Sequence, residues 1–286
     1  MTTTLEQPAR TEVSFADLEI DGRAQRLEYA WIDAAREDTP LVVFLHEGLG
    51  SLAMWRDFPQ LLCAAAGTRG LVYSRPGYGR STPRADGEKW PVDFMHAHAQ
   101  IVLPALLEKL GVPEPAWLFG HSDGASIALL HAAAFPDRVA GVVAVAPHVF
   151  EDLSVASIKQ ARVTYATTDL RQRLARYHDD PDSAFCGWND IWLDPKFRAW
   201  NIEACLPHIR CPLLAVQGVD DEYGTMAQID AIAAGAPRAR LLELRDCGHS
   251  PHRDQPAALT EAVVAFMGGQ GPAGSPPQVP LKAART

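Results

Sequence analysis

Short apolar runs alternate with segments of helical periodicity along most of the chain. The run at Leu41–Leu45 has no polar position, which is typical of a strand buried on both faces of a sheet. Strands are predicted at Val13–Ile20, Arg26–Ile32, Leu41–Leu45, Leu71–Ser74, Ala116–Phe119, Val139–Ala146, Pro212–Gln217 and Arg240–Leu244. Helices are predicted at Trp55–Ala66, Asp93–Leu110, Ala125–Phe135, Thr225–Gly235 and Pro256–Met267. This alternation predicts an α/β fold with a mostly parallel, eight-stranded sheet that carries helices on both faces.

Two local signals refine this pattern. Asp21 and Gly22 separate the first two strands, so these strands are predicted to form an antiparallel pair. Pro104 lies inside the predicted helix Asp93–Leu110. Because proline removes a helical hydrogen bond, we expect that helix to be kinked.

One segment interrupts the strand–helix rhythm. Residues 149–210 show helical periodicity and many aromatic positions but no convincing buried strand. We therefore predict a helical cap at 149–210, inserted after the sixth strand of a core formed by residues 11–148 and 211–267. The polar residues 1–10 and the Gly- and Pro-rich residues 268–286 are predicted to be disordered, because such segments cannot bury a core.

The charge pattern limits the possible partners. The 286-residue chain has a formal net charge of −9 and no basic run, whereas a phosphate-binding surface needs clustered Lys and Arg, so nucleic acid is not expected. No apolar stretch reaches the roughly 18 residues of a membrane span. The first residues also lack the positive flank and apolar run of a secretory signal.

The cysteines and the paired histidines give no metal signal. The five cysteines are scattered and form no Cys-x-x-Cys pair, so neither a zinc site nor a disulfide framework is indicated. His96 and His98 lie on a predicted helix without a matching carboxylate spacing. We therefore expect a cytoplasmic protein that uses no cofactor. Its expected partner is a small-molecule substrate, and its oligomeric state stays open.

A nucleophile motif follows the fifth predicted strand. The sequence GHSDG at residues 120–124 matches G-x-S-x-G and lies directly between a strand and a helix of small residues. A sharp strand-to-helix turn would lift Ser122 out of the sheet, and the helix N-terminus would direct backbone N–H groups at its hydroxyl. The pentapeptide alone is common by chance, but its position between these two elements predicts that Ser122 is a nucleophile.

A serine nucleophile needs a histidine base, and two histidines follow the last predicted strand. His249 ends the loop that leaves this strand, and Gly248 allows that loop to turn tightly. His252 lies three residues farther on and is the alternative, more consistent with a loop or pocket residue. In such a triad the acid lies between serine and histidine along the chain, and both histidines satisfy this order. Because His249 lies in the loop between the last strand and the last helix, we expect it to be the base.

The acid should follow the seventh predicted strand. Asp220, Asp221 and Glu222 all occur there, and because adjacent side chains point in different directions only one can face the histidine. The other two are expected to form a solvated acidic turn that caps the next helix. Asp246 is a further candidate, but it precedes His249 on the same loop and fits a structural role better.

A tetrahedral intermediate needs two N–H donors for its oxyanion. The backbone of Asp123, directly after the nucleophile, is expected to supply one donor. The loop after the third strand should supply the other, with Gly48 preferred and Leu49 as the alternative.

Two carboxylates lie close to this predicted oxyanion hole. Because negative charge near an oxyanion is unfavourable, we expect Glu47 and Asp123 to point away from it, toward cations such as Arg75 and Arg80. The competing hypothesis is that Glu47 or Asp123 contacts a cationic group of the substrate. Structural ion pairs are the commoner use of such residues.

The start of the predicted cap and its aromatic residues could line the pocket. His148 begins the cap near the expected site, and Trp188 and Trp192 are candidates for an apolar acyl or ring pocket. His121, directly before the nucleophile, is expected to pack beneath the turn.

Five segments carry a family resemblance: LVVFLHEGLGS (41–51), SRPGYGRS (74–81), GHSDGA (120–125), QGVDD (217–221) and DCGHS (246–250). Together they resemble the α/β-hydrolase fold family over about residues 13–267, and most of all its small cap-bearing members. Those members include C–C hydrolases of meta-cleavage products, lyase-type enzymes of the menaquinone pathway, carboxylesterases and lactonases.

The resemblance selects among the acidic candidates. The family's acid tends to fall three residues after the glycine of its acid segment, which here is Gly218, and this implies Asp221. The resemblance thus implies a triad of Ser122, Asp221 and His249. Glu47 departs from the family pattern, because glycine usually stands there. A serine nucleophile also argues against the haloalkane dehalogenase and epoxide hydrolase branches, which need a carboxylate.

Three functions remain open at this point. The expected one is hydrolysis of a small carboxylic ester or lactone through an acyl-enzyme on Ser122. The first alternative is C–C bond hydrolysis of the meta-cleavage-product type. The second is a non-catalytic small-molecule receptor of the same fold.

Overall fold

A computed structural model of the chain describes residues 12–113 and 115–269. Its eight strands are β1 (Val13–Ile20), β2 (Arg23–Ile32), β3 (Leu41–Leu45), β4 (Arg69–Tyr73), β5 (Ala116–His121), β6 (Val139–Val145), β7 (Leu213–Gly218) and β8 (Ala239–Leu244). They form one sheet in the order β1-β2-β4-β3-β5-β6-β7-β8. The β1–β2 and β2–β4 pairs are antiparallel and all other pairs are parallel. The predicted α/β fold with a mostly parallel, eight-stranded sheet is confirmed.

Ten α-helical segments accompany these strands among the described residues. They are α1 (Phe58–Ala66), α2 (Phe94–Ala97), α3 (Leu103–Lys109), α4 (Asp123–Ala134), α5 (Val155–Thr167), α6 (Leu170–Leu174), α7 (Pro181–Leu193), α8 (Ala227–Gly235), α9 (Pro251–Asp254) and α10 (Pro256–Gly268). Short 3-10 turns cover Leu52–Trp55, Pro136–Arg138, Pro195–Ala199 and Glu203–His208.

Two predicted helices differ most from the structure. The first begins at Phe58 rather than Trp55, because Arg56 adopts a positive φ of 55° between a 3-10 turn and α1. The predicted helix Asp93–Leu110 is divided by a π-helical turn at His98–Val102. Pro104 lies in the first turn of α3, where a missing N–H costs little, so the interruption precedes the proline.

The sheet is covered by apolar packing on both faces. Val43 of β3 belongs to one buried cluster, whereas its neighbours Val42 and Phe44 belong to the cluster on the other face. Because successive side chains of a strand point to opposite faces, both clusters draw on the same short run. This double burial explains why β3 has no polar position. The parallel pairing of β3, β5, β6 and β7 places their carboxyl ends along one edge of the sheet.

The segment between β6 and β7 contains helices α5, α6 and α7. An isolated antiparallel bridge between Phe150 and Asn201 joins its two ends. His178 ties the segment to the core, because its Nδ1 accepts from the Gly79 N–H (2.9 Å) and its Nε2 donates to the Leu49 carbonyl (3.0 Å). A helical segment thus lies against the loop that follows β3.

The ends of the chain bear on the predicted tails. Helix α10 continues to Gly268, so the predicted tail 268–286 begins one residue too early. Residues 1–11 and 270–286 lie outside the described residues, and with them the remainder of both predicted tails. None of the helices among the described residues has the length and apolar character needed to cross a membrane.

Candidate active site

Ser122 lies at the turn between β5 and α4. Its backbone has φ 54° and ψ −120°, an uncommon conformation for a residue with a side chain, and its N–H donates to the Val145 carbonyl at 2.9 Å. The glycines on either side are required, since a Cβ at Gly120 would overlap the backbone of Gly124 and a Cβ at Gly124 would overlap the Leu45 carbonyl. Strain and close backbone contact at this turn hold the serine hydroxyl above the sheet.

His249 reaches Ser122 from the loop after β8. Its Nε2 lies 3.0 Å from the Ser122 Oγ, and its Nδ1 lies 2.9 Å from both carboxylate oxygens of Asp221. Asp221 comes from the loop after β7, so three chain-distant residues meet at one edge of the sheet. The arrangement can transfer a proton from the hydroxyl to an imidazole whose other nitrogen faces a carboxylate.

The Asp221 carboxylate receives hydrogen bonds from several protein donors. Its Oδ1 accepts from the backbone N–H groups of Tyr223 (2.7 Å) and Gly224 (3.2 Å), and its Oδ2 accepts from Gln217 Nε2 (2.6 Å). Burial acts to raise the pKa of Asp221, but the hydrogen bond and charge of His249 and the Tyr223 N–H hold it below its ordinary value. Asp221 is therefore kept ionised by its surroundings.

The other acidic candidates take different places. Glu222 Oε2 accepts from the backbone N–H of His249 at 3.3 Å, so it supports the loop rather than the imidazole. The backbone N–H of Asp220 donates to the Cys247 carbonyl (3.0 Å), and this residue is exposed. Asp246 is also exposed and adopts a positive φ of 52°. The structure brings only Asp221 of this group to the His249 ring.

The alternative base, His252, lies away from the serine. Its ring packs against Trp55, with centroids 5.0 Å apart, and against His121, with centroids 4.8 Å apart. Burial, followed by the charge of His121, lowers the pKa of His252 to about 3. Its role is therefore packing beneath the site.

His121 supports the loop that carries His249. Its Nε2 donates to the His249 carbonyl at 2.7 Å, since a carbonyl oxygen can only accept, and its Nδ1 lies 3.4 Å from Glu47 Oε2. Burial favours a raised pKa for Glu47, but the hydrogen bond and charge of His121 and the nearby His252 and His46 hold it below its ordinary value. The sequence placed His121 beneath the turn without indicating either partner.

The prediction that the Glu47 side chain pairs with Arg75 or Arg80 is wrong. Arg75 Nη2 donates to the Glu47 carbonyl oxygen at 2.8 Å, whereas the Glu47 side chain faces His121. Arg80 contacts neither carboxylate in question, and its backbone N–H instead donates to Glu28 Oε2 at 3.0 Å. Glu47 thus serves the loop beneath the site.

Gly48, the expected second oxyanion donor, lies between Asp123 and Trp188 of the helical segment. A Cβ at Gly48 would overlap the Trp188 indole and lie 3.2 Å from Asp123 Oδ2. The neighbouring Leu49 is held through its carbonyl by His178. Gly48 and the N-terminus of α4 therefore approach each other beside Ser122, and only glycine fits beneath Trp188.

The Asp123 side chain lies at this point without a hydrogen bond. It is 1% exposed, and Arg75 Nη2 is 3.7 Å from its Oδ2, which is an ion-pair distance but too long for a hydrogen bond. Neither carboxylate oxygen has a hydrogen-bond partner. Burial raises the pKa of Asp123, and the charge of Arg75 offsets this only in part.

The predicted pocket residues border the site to different degrees. The His148 ring lies 6.0 Å from the His249 ring and 5.1 Å from Trp192, and burial lowers the pKa of His148 to about 4. Trp188 covers Gly48, whereas Trp192 lies behind His148. The sequence missed Tyr223, whose ring lies 5.1 Å from the His249 ring. Among the described residues no group of three or more His, Cys, Asp or Glu side chains could hold a metal ion.

Comparisons with known proteins agree with this architecture. The alpha/beta hydrolase family model matches residues 42–262. A candidate carbamate hydrolase, RutD, of Pseudomonas savastanoi pv. phaseolicola is 27% identical over 256 residues, which cover 82% of this chain and 95% of the relative. The 2-hydroxy-6-oxo-6-phenylhexa-2,4-dienoate hydrolase of Burkholderia cepacia is 24% identical over 254 residues, which cover 79% of this chain and 87% of the relative.

Solved structures show the same fold. The enol-lactonase from Burkholderia xenovorans LB400 superimposes with a TM-score of 0.67 at 21% identity, covering 88% of this chain and 99% of that one. At this identity the likeness establishes the fold alone. Because the family model spans most of the chain, the chain belongs to the alpha/beta hydrolase family, and hydrolysis is the class of reaction that its relatives support.

Proposed function

We propose that the chain is a serine hydrolase that cleaves a small carboxylic ester or lactone through an acyl-enzyme on Ser122. The observation that carries this proposal is the continuous hydrogen-bonded line from Ser122 Oγ to His249 Nε2 (3.0 Å) and from His249 Nδ1 to Asp221 (2.9 Å). A serine hydroxyl is weakly nucleophilic at neutral pH, and this line supplies the base and the group that orients it.

The reaction begins with attack of Ser122 Oγ on the substrate carbonyl carbon. His249 Nε2 accepts the hydroxyl proton, and Asp221 holds the tautomer that leaves Nε2 free and stabilises the imidazolium that forms. His249 then returns the proton to the leaving alkoxide, which departs as an alcohol. In a lactone this alcohol stays attached to the acyl group.

The same groups complete the second half of the reaction. Water enters, and His249 removes its proton as the water oxygen attacks the acyl-enzyme carbonyl. Collapse of this intermediate breaks the bond to Ser122 Oγ, which takes the proton back from His249, and the carboxylic acid is released. In both halves the backbone N–H groups of Asp123 and Gly48 are the proposed donors to the oxyanion, since Asp123 directly follows Ser122 and Gly48 lies next to Asp123. Leu49 is the alternative candidate for the second donor, and its carbonyl, in the next peptide unit, accepts from His178 Nε2.

C–C bond hydrolysis is the second candidate function. It is favoured by the relative from Burkholderia cepacia, a 2-hydroxy-6-oxo-6-phenylhexa-2,4-dienoate hydrolase that aligns over most of both chains. Such a substrate requires proton transfer to a substrate carbon before cleavage. Ester and C–C substrates would use the same serine and histidine, so substrate identity separates the two functions.

The test is a panel of nitrophenyl esters, lactones and a vinylogous diketone, assayed with wild type and Ser122→Ala. We expect ester or lactone turnover in wild type and a loss of on the order of 10⁴ to 10⁶ in kcat for Ser122→Ala. Ser154→Ala is a matched control, because Ser154 is exposed and its side chain makes no capping hydrogen bond. A fluorophosphonate should label wild type on Ser122 and leave the variant unlabelled.

Each result has a clear reading. Full activity in Ser122→Ala would refute the assignment of Ser122 as the nucleophile. Turnover of the diketone alone would replace the ester proposal by C–C hydrolysis. A folded wild type that neither hydrolyses any panel member nor reacts with the fluorophosphonate would favour a binding protein.

A further inference from the structure

The Asp123 carboxylate is buried beside Ser122 with no hydrogen bond to either oxygen. A buried carboxylate ordinarily receives several hydrogen bonds, because it gives up strong hydration when it leaves water. The nearest arginine nitrogen, Arg75 Nη2, is 3.7 Å away and donates to the Glu47 carbonyl, while Arg75 Nε and Nη1 are buried without a hydrogen-bond partner. Arg75 therefore offsets part of the charge at ion-pair distance, and neither Asp123 oxygen receives a hydrogen bond from it.

The carboxylate lies at the oxyanion end of the site. Asp123 carries one proposed oxyanion donor on its own backbone, and its Oδ2 is 3.2 Å from the Cβ position of Gly48, the other proposed donor. The Trp188 indole covers the same Gly48 position. A substrate carbonyl held by both donors thus has a carboxylate and an aromatic ring beside it.

Negative charge at this point opposes the proposed chemistry. An oxyanion develops between the two donors, and an ionised Asp123 would raise its energy. A positively charged nitrogen next to the carbonyl reverses this effect, because it is attracted both to the carboxylate and to the oxyanion. A carboxylate next to an aromatic ring is also a favourable environment for an ammonium group that can reach the ring face.

Glu47, the other carboxylate near Ser122, is not available for this role. Its side chain pairs with His121, which in turn holds the His249 backbone. Of the two carboxylates closest to the oxyanion loop, only Asp123 lacks a hydrogen-bonding partner.

We propose that Asp123, with Trp188, binds an ammonium group on the carbon adjacent to the scissile carbonyl, so that the preferred substrates are esters or lactones of α-amino acids. This inference rests on the proposed function, since it assigns the acyl part of the substrate that Ser122 attacks. The adjacent carbon is chosen because the carboxylate and the backbone donor belong to one residue, so the cation and the oxyanion must lie close together.

The test compares two esters of the same shape at pH 6.5, where the amine is protonated. The 4-nitrophenyl ester of L-alanine carries an ammonium group where the 4-nitrophenyl ester of isobutyric acid carries a methyl group. We expect wild type to prefer the alanine ester in kcat/KM by on the order of 10²-fold, as for a buried charge pair. Asp123→Asn should remove most of that preference, measured as the ratio of kcat/KM for the two esters within each protein.

A control variant separates local charge from overall charge. Asp152→Asn removes a negative charge near the start of the helical segment, where the carboxylate bonds Thr225, and should leave the preference unchanged. Acetylthiocholine places the cation on the leaving group instead. A strong, Asp123-dependent preference for acetylthiocholine over the alanine ester would overturn the assignment to the acyl side.

A second measurement needs no variant, in case Asp123→Asn fails to fold. L-Alaninamide and isobutyramide have the same shape and differ in charge, so both can be tried as inhibitors of isobutyrate ester hydrolysis by wild type. We expect L-alaninamide to inhibit at a concentration at least about tenfold lower. Equal inhibition, with turnover still dependent on Ser122, would overturn this inference alone, whereas turnover independent of Ser122 would overturn the proposed function.

Discussion

Asp221 and Asp123 are two aspartates of the candidate site whose side chains are each 1% exposed but whose surroundings differ. Asp221 accepts from Gln217, Tyr223 and Gly224 and also faces His249. Neither carboxylate oxygen of Asp123 accepts a hydrogen bond, and Arg75 Nη2 lies 3.7 Å from Oδ2, at ion-pair distance. Their pKa values shift in opposite directions, downward for Asp221 and upward for Asp123.

The difference separates two uses of a buried carboxylate. Protein donors keep Asp221 ionised, so its interaction with His249 is complete before any ligand arrives. The charge of Asp123 is incompletely compensated, so a ligand that brings a cation gains energy there that Asp221 cannot offer. Predictions that alter one side of Ser122 at a time can sharpen or break this comparison.

The largest effect is expected on the Asp221 side. Asp221→Asn should lower kcat/KM for any ester that the enzyme turns over by on the order of 10⁴, because an amide no longer selects the histidine tautomer with a free Nε2. Steady-state kinetics measures this, and Asp220→Asn, one residue earlier on an exposed turn, is the matched control. Equal losses in the two variants would show that the acid has been assigned to the wrong residue.

The next effect is expected at Gly48, on the Asp123 side. Gly48→Ala should lower kcat by on the order of 10² to 10³, because the new methyl overlaps Trp188 and displaces a proposed oxyanion donor. A double-mutant cycle with Trp188→Ala, followed with the isobutyrate ester, measures the coupling. If glycine is required at this position because of the Trp188 indole, Gly48→Ala should lower kcat less in the Trp188→Ala background than in wild type.

Sequence patterns predicted the parts of this comparison that depend on local spacing. The turn around Ser122 was predicted from a five-residue motif between a strand and a helix, and His249 from its place in the loop after the last strand. Spacing alone left three acidic candidates, and the family resemblance selected Asp221. The strands themselves could be predicted because burial on both faces removes polar positions from runs such as β3.

The features that the sequence did not predict depend on contacts between segments that are distant along the chain. Parallel pairing of β3 with β5 aligns Leu45 with Gly120, so the residues that follow them, Glu47 and His121, emerge at the same edge. Without that register, arginine was the expected partner of Glu47. The contact of Trp188 with Gly48 likewise depends on how a helical segment folds over a loop, which no local pattern encodes.

A substitution at Gln217 weakens the hydrogen bonding of Asp221 without removing its carboxylate. Gln217→Met keeps a similar buried shape but removes the 2.6 Å donor to Asp221 Oδ2, so we expect kcat/KM to fall about tenfold. Because that donor favours the ionised form, its loss should move the acid limb of the pH–rate profile to higher pH. Gln255→Met is a control, since Gln255 bonds the Asp246 carbonyl instead. An unchanged acid limb would argue that the other donors suffice.

The smallest effect is on stability, and its sign should differ between the two aspartates. The pKa of Asp221 lies below its ordinary value of 3.8, so its ionised form contributes stability at neutral pH, which is lost as the pH falls through that lowered pKa. The pKa of Asp123 lies above 3.8, so the fold loses stability as the pH rises from 3.8 through the raised pKa.

At pH 7, Asp221→Asn should therefore destabilise the protein, whereas Asp123→Asn should stabilise it by about 1 kcal/mol, or roughly 2–4 °C in Tm. Thermal unfolding of both variants and wild type between pH 3.5 and 7.5 measures this, and the gain in Asp123→Asn should vanish toward the acid end. A loss of stability in Asp123→Asn at neutral pH would mean that its pairing with Arg75 outweighs its burial. Asp123 would then be a structural partner of Arg75, and the contrast with Asp221 would lose its functional meaning.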